Sequence, residues 1–218
     1  MNTQTQQLTR ASVWIPSHYI CFDNFLTIEE NRQFLDYAIA DQASYLPAPT
    51  STDDPTKRKA LSMQPSPTFS QFSNLVLNRI ETVWTETLTA LKVQPFSASK
   101  ITVQLIAQND GDYVKRHCDR NTVAPDRKIT FVYYLHHQPK SFSGGEFVLY
   151  DSHLEAGTLI PSDSRRIIQP INNRLLLFVS RNFHEVLPVE CPSGMFAQSR
   201  FAFSGWFHQA ELLNHLGA

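Results

Sequence analysis

The chain has 218 residues, 42% of them hydrophobic, 18% charged and 11% aromatic, with a formal net charge of -1. Such a composition belongs to a soluble globular protein with room for a substantial core, and near-neutrality gives no support to nucleic acid or an anionic membrane as partner. No apolar run approaches the length that spans a bilayer and no signal-peptide pattern opens the chain; the three cysteines, Cys21, Cys118 and Cys191, are too scattered for a disulfide framework or zinc ribbon, so a cytoplasmic, reducing location is expected.

The opening residues, MNTQTQQLTRAS, are polar and expected to fray. HYICFDNFL reads as a short strand. TIEENRQFLDYAIA follows as a helix with Thr27 at the N-cap and Glu30 three residues on, the pattern of a capping box. Phe34, Leu35, Tyr37 and Ala38 give that helix one apolar stripe. Residues 44–67 are rich in Pro, Ser and Thr and read as a loop, either solvated or covering a substrate. One long helix is expected over FSQFSNLVLNRIETVWTETLTALK, residues 69–92, because its apolar positions recur at helical spacing.

From about residue 99 the pattern changes to strands: KITVQLIAQ, RKITFVYYLHH, EFVLYDS, TLIPS, RLLLFVS, HEVLPVEC and RFAFSGWFH. Short strands with turns between them and no interleaved helices imply an antiparallel sandwich or barrel, with the earlier helices packed on one outer face. The expected organisation is one α+β domain over residues 1–218, with a strand and helices in 1–95 and a β core in 96–210.

RHCDR, residues 116–120, carries the first chemical signal. If the stretch is a strand, His117 and Asp119 point to one face. Such a pair can grip a metal or form an ordinary surface ion pair. NRLLLFVSRNFHEVLPV adds His184 at the head of a strand. Two imidazoles and one carboxylate suit Fe(II) and leave coordination sites open for substrates. His18, His136, His137, His153, His208 and His215 lack a comparable setting and are assigned surface or hydrogen-bonded roles. Arg200 heads RFAFSGWF, with Ala202, Ser204 and Trp206 on its face by the period of two. A planar, permanently charged guanidinium there can seat a carboxylate.

In this order, YVKRHCDR, RKITFVYYL, SGGEFVLY, NRLLLFVS, HEVLPV and RFAFSGWF resemble the prolyl 4-hydroxylase-like branch of the 2-oxoglutarate and Fe(II)-dependent dioxygenases. The resemblance spans about residues 99–208 and is in particular to hypoxia-factor prolyl hydroxylases and their bacterial relatives; ICFDNFLTIEE is similar to the family's entry strand and helix. It implies a double-stranded β-helix, the cupin-like jelly-roll. It also implies His117, Asp119 and His184 as iron ligands and Arg200 as partner of the distal 2-oxoglutarate carboxylate. Tyr134 falls at the position of a hydroxyl on that carboxylate, Thr130 lies earlier on the same face, and Trp206 closes the pocket. Gly144 and Gly145 match the family's tight turn. EVLPVECPSGMFAQS, between His184 and Arg200, is longer than the family's spacing and reads as an extended hairpin loop. The family's upstream tyrosine has no counterpart in QLIAQNDGDY.

The implied activity is O2-dependent hydroxylation of an unactivated C–H, a prolyl residue in a peptide or protein, with release of succinate and CO2 and with ascorbate as reductant. A free amino acid or secondary metabolite is the alternative substrate. A zinc-binding cupin-like enzyme and a non-catalytic module are the alternatives of other classes. Residues 44–67, 120–126 and 190–199 are expected to border the substrate. Arg116, Arg120 and Arg127 read equally as an attractor for an acidic substrate and as a solvated rim. Nothing in the sequence indicates the oligomeric state.

Overall fold

The computed structural model of the protein describes residues 12–49, 54 and 56–210; most of the opening polar segment, residues 50–53 and 55 of the proline-rich stretch, and His215 lie outside them. Two short strands, β1 (Val13–Ile15) and β2 (Tyr19–Phe22), lead into helix α1 (Ile28–Ala40). Strands β3 (Tyr45–Pro47), β4 (Arg58–Lys59) and β5 (Leu61–Met63) precede helices α2 (Pro67–Thr82) and α3 (Trp84–Leu91). Then come β6 (Lys100–Gln108), β7 (Tyr113–His117), β8 (Arg127–Leu135), β9 (Ser143–Gly144), β10 (Phe147–Glu155), β11 (Thr158–Ile168), β12 (Leu175–Val179), β13 (His184–Val186), β14 (Val189–Glu190) and β15 (Arg200–His208).

α1 begins as its sequence dictates. The Thr27 hydroxyl accepts from the Glu30 amide, and the Glu30 carboxylate accepts from the Thr27 amide, so two orphan N–H groups are satisfied reciprocally. The single long helix expected over 69–92 is instead two helices broken at Val83. There the Val83 N–H turns back to Ile80 O at 3.1 Å, a three-residue rather than four-residue closure, while the Thr82 hydroxyl donates to Arg79 O at 2.7 Å. Local side-chain bonding and the β-branched residues Thr82, Val83 and Thr85 both work against a continuous helix. Residues 44–67 also differ from expectation, because three short strands within them extend both sheets. HEVLPVEC divides into β13 and β14, and TLIPS runs on to Ile168.

The larger sheet has the order β2-β12-β8-β15-β6-β5-β3; the smaller has β1-β10-β13-β7-β4, with β11 also on β10; β14 and β9 pair separately. Every pairing is antiparallel, and the two sheets stack as the expected jelly-roll. Alternation along the central strands divides the interior in two. Ile129, Phe131, Tyr133 and Leu135 of β8, and Phe201, Phe203 and Phe207 of β15, join the cluster under α1, α2 and α3. Val132, Tyr134, Leu176, Phe178 and Ala202 point the other way and meet Phe147, Leu149 and Ile168 of the smaller sheet.

Phe34 ties the helical layer to the sheet. It is fully buried, stacks on Phe72 of α2 at 4.8 Å and meets Phe203 of β15 edge-on at 5.5 Å. Phe34→Ala is expected to destabilise the protein by about 3–5 kcal/mol, a fall in melting temperature of roughly 10 °C by thermal denaturation. All three cysteines are free, and no helix among the described residues is long and apolar enough to cross a membrane.

Candidate active site

The smaller sheet brings two histidines together. His117 ends β7, His184 begins β13, and the two are register partners with ring centroids 4.3 Å apart. Each Nδ1 lies 2.9 Å from a backbone carbonyl two residues upstream, Lys115 O for His117 and Asn182 O for His184. A carbonyl can only accept, so each Nδ1 carries a proton, and in the neutral ring Nε2 presents a lone pair. Asp119 completes the group from an unexpected position. The strand ends at His117, and the chain bends so that the amides of Asp119 and Arg120 both donate to Ser180 O, at 3.0 and 2.9 Å. Strand alternation therefore does not orient this carboxylate; the bend does. Its oxygens lie 3.5 Å from His117 Nε2 and 3.6 Å from His184 Nε2, and the three donor atoms fall within 4.8 Å of one another.

The surroundings set the protonation states. Burial pushes the His184 pKa down to about 4, with the His117 imidazole acting in the same direction, so at neutral pH the ring is uncharged. Phe147 stacks on it at 5.2 Å and Phe178 meets it at 4.8 Å, fixing the ring plane. Burial alone would raise the Asp119 pKa, but the imidazoles of His184 and His117 outweigh it and hold the carboxyl well below the usual range.

Thr130 stands beside the Asp119 carboxylate. Its hydroxyl donates to Asp119 Oδ2 at 2.8 Å and lies 2.9 Å from Ser180 Oγ, which must then be the donor in that second contact. The relay Ser180–Thr130–Asp119 fixes the ionised carboxylate with neutral hydroxyls. Thr130→Val is expected to weaken divalent metal binding about 10–100-fold while leaving the fold intact, measured by competition with a chromophoric chelator.

At the other end of the same sheet face stands Arg200, 2% exposed. Its Nε donates to Gly145 O at 2.9 Å, and its NH1 donates to Gln108 Oε1 at 2.5 Å. The guanidinium carbon lies 4.9 Å from the Tyr134 ring centre. Gly145, at φ +68, makes the close approach possible; a Cβ there would meet Arg200 Cδ at 2.7 Å. Among the described residues no carboxylate pairs with Arg200, and the Tyr134 hydroxyl and Gln108 Nε2 are buried without a partner. Burial pushes the Tyr134 pKa up to about 12, so its hydroxyl remains a donor. A buried cation with two orphaned polar groups close by is a seat for an anion. Trp206 lies further along β15, its indole N–H also without a partner and its ring under the Arg127 guanidinium at 3.8 Å.

The extra residues before Arg200 do not disturb it. Phe196 from that loop packs edge-on against Tyr45 and Phe201, on the helix side of the larger sheet and away from the cavity. Gln108 and Arg58 were absent from the sequence-derived set. Gln108 was within reach, since it ends a predicted strand, but its pairing with Arg200 needs the β6–β15 register. Arg58 lies in the stretch read as a loop.

Residues 102–208 match the 2OG-Fe(II) oxygenase superfamily. A curated relative described as an uncharacterized PKHD-type hydroxylase, from Synechocystis sp., is 38% identical over 203 residues, covering 91% of this chain and 65% of the relative; the chain thus spans just under two thirds of that protein's length. Among solved structures, a prolyl-4-hydroxylase of Pseudomonas putida superposes with TM-score 0.64 at 18% identity, covering 89% of this chain and 94% of that one. A Trichoplax adhaerens prolyl hydroxylase in complex with a hypoxia-inducible-factor oxygen degradation domain peptide fragment gives 0.63 at 18% identity, covering 88% and 83%. These two share the fold with this chain. Residues 102–208, just under half of the chain, are thus similar to the 2OG-Fe(II) oxygenase superfamily, and the curated relative extends the similarity over 91% of the chain.

Proposed function

We propose that the protein is an Fe(II)- and 2-oxoglutarate-dependent hydroxylase that oxidises an unactivated C–H, a prolyl residue in a peptide or protein, and releases succinate and CO2. The observation that carries this reading is the pairing, between the two sheets, of a convergent His117–Asp119–His184 donor set with a buried Arg200 that has no acid of its own among the described residues. The donor chemistry fits ferrous iron, and the orphaned Tyr134 hydroxyl and Gln108 amide fit the far carboxylate of a diacid. When bound, the iron supplies oxygen activation driven by decarboxylation of the 2-oxo acid.

The chain's own residues do the rest. His117, Asp119 and His184 hold the metal through three positions and leave others for ligands. Thr130 and Ser180 orient the carboxylate. Arg200, held by Gln108 and the Gly145 carbonyl, fixes the diacid's direction, with the Tyr134 hydroxyl as second donor. Phe147, Phe178 and Leu149 keep water from the buried side of the site. Ascorbate as the reductant and the cytosol as the compartment belong to the same proposal, the latter supported by the three free cysteines.

The test is succinate formation from 2-oxoglutarate with Fe(II) and ascorbate, with and without a pool of proline-containing peptides, and mass spectrometry for the gain of one oxygen atom. Peptide-stimulated succinate with a matching oxygenated product supports the reading. Metal binding without any 2-oxoglutarate turnover would turn it toward a zinc enzyme or a binding module.

A further inference from the structure

Among the described residues, two arginines flank His117, Asp119 and His184 without a salt-bridge partner of their own. β4 sets Arg58 opposite Val114 of β7, Val114 pairs with Val186, and Val186 with Phe147. Phe147, with Val186 packed against it, belongs to the cluster between the two sheets, and directly opposed residues share a face. Arg58 therefore projects to the inner side, where an irregularity in the β7–β13 register also directs His117. Its Nε is shielded from solvent and has no hydrogen-bond partner.

Arg127 approaches from the larger sheet. Its NH1 reaches only the backbone carbonyl of Asp119, at 3.5 Å, and its Nε is likewise buried without a partner. Asp126, the acid next to it in sequence, is engaged by His208 Nδ1 at 2.9 Å and Lys100 Nζ at 3.4 Å. Against the cost of their burial, the Asp119 carboxylate attracts both guanidinium groups, and Asp126, already shared with His208 and Lys100, adds a weaker pull on Arg127. That carboxylate already faces two imidazoles and the Thr130 hydroxyl.

On the proposed function, on which this inference rests, a ferrous ion and Arg200 would be balanced by Asp119 and the diacid. Arg58 and Arg127 then remain uncompensated in a partly dry cavity, an arrangement that is costly unless a ligand brings negative charge. We propose that Arg58 and Arg127 form a carboxylate-binding subsite for the primary substrate, so that the molecule hydroxylated carries an acid group near the oxidised C–H. The carboxylate belongs to a free amino acid or to the end or acidic side chain of a peptide.

The experiment is anaerobic calorimetry on the full chain loaded with Fe(II) and 2-oxoglutarate, using matched acid and amide probes. The pairs are proline and prolinamide, glutamate and glutamine, and proline-containing peptides with free and amidated C-termini. At least one acid is expected to bind about tenfold or more tightly than its amide, the size of a charge-assisted contact. The pair that shows the preference identifies the source of the carboxylate. Arg58→Gln and Arg127→Gln should each erode that preference, Arg58→Lys should restore part of it, and Arg116→Gln, at an exposed position over the Tyr150 ring, should leave it unchanged. Melting temperatures identify any variant lost to misfolding. Amides that bind as well as acids, no acid binding at all, or an undiminished preference in a folded Arg58→Gln protein would overturn the subsite. Failure of 2-oxoglutarate itself to bind would instead remove the oxygenase reading.

Discussion

His117→Ala is expected to lower Fe(II)-dependent succinate formation by at least about a hundredfold, exceeding what loss of a residue that merely supports a metal ligand produces. Position makes this variant informative. The His117 side chain is 41% exposed at the end of β7, whereas His184 is buried between Phe147 and Phe178. Alanine at 117 therefore opens no core cavity, and a lost activity with an unchanged melting temperature reports on the metal alone. Iron titration should show weakened binding in parallel. Near-native turnover in a correctly folded His117→Ala protein would take His117 out of the site.

Arg200→Ala is expected to raise the dissociation constant for 2-oxoglutarate by about a hundredfold or more, since it removes a buried cation from a carboxylate that has no other charge to meet. Truncation also strands Gly145 O and Gln108 Oε1, so the alanine variant should lose stability as well. Arg200→Lys separates the two effects. Lysine keeps the charge but loses the fork that serves Gly145 and Gln108 together, and an intermediate loss of about tenfold is expected. The measurement is calorimetric titration of 2-oxoglutarate, with melting curves for each variant. Native affinity in both variants would place the anchor elsewhere.

Much of this was legible from residue pattern. The Thr27–Glu30 capping box, β6 and β15 to the residue, and the helices on one outer face all follow from local signals that the tertiary structure reinforces. The misreadings share a cause. Val83 breaks a helix whose apolar spacing continues unbroken, because hydrophobic periodicity reports which face is buried and is blind to side-chain hydrogen bonding such as that of Thr82. β3, β4 and β5 are two or three residues long and exist through pairing with β5, β7 and β6, so their own sequence carries almost no strand signal. His117, Asp119 and His184 were named from spacing and resemblance. The bend that turns Asp119 inward depends on Ser180, sixty-one residues away in sequence, and could not be read from RHCDR. The bonding of Thr130 to Asp119 and Ser180 was likewise not readable from the sequence, since alternation gives direction and not partner.

The last strand consequently works in two registers. In β15, Phe201, Phe203 and Phe207 anchor the helical layer, while Arg200, Ala202 and Trp206 face the cavity. A single inserted or deleted residue within it would exchange the two sets, sending aromatics into the cavity and the guanidinium beneath the helices. A change of length in the loop ahead of Arg200 leaves that division intact, because the loop packs on the helix side through Phe196 and the count from Arg200 to His208 is untouched.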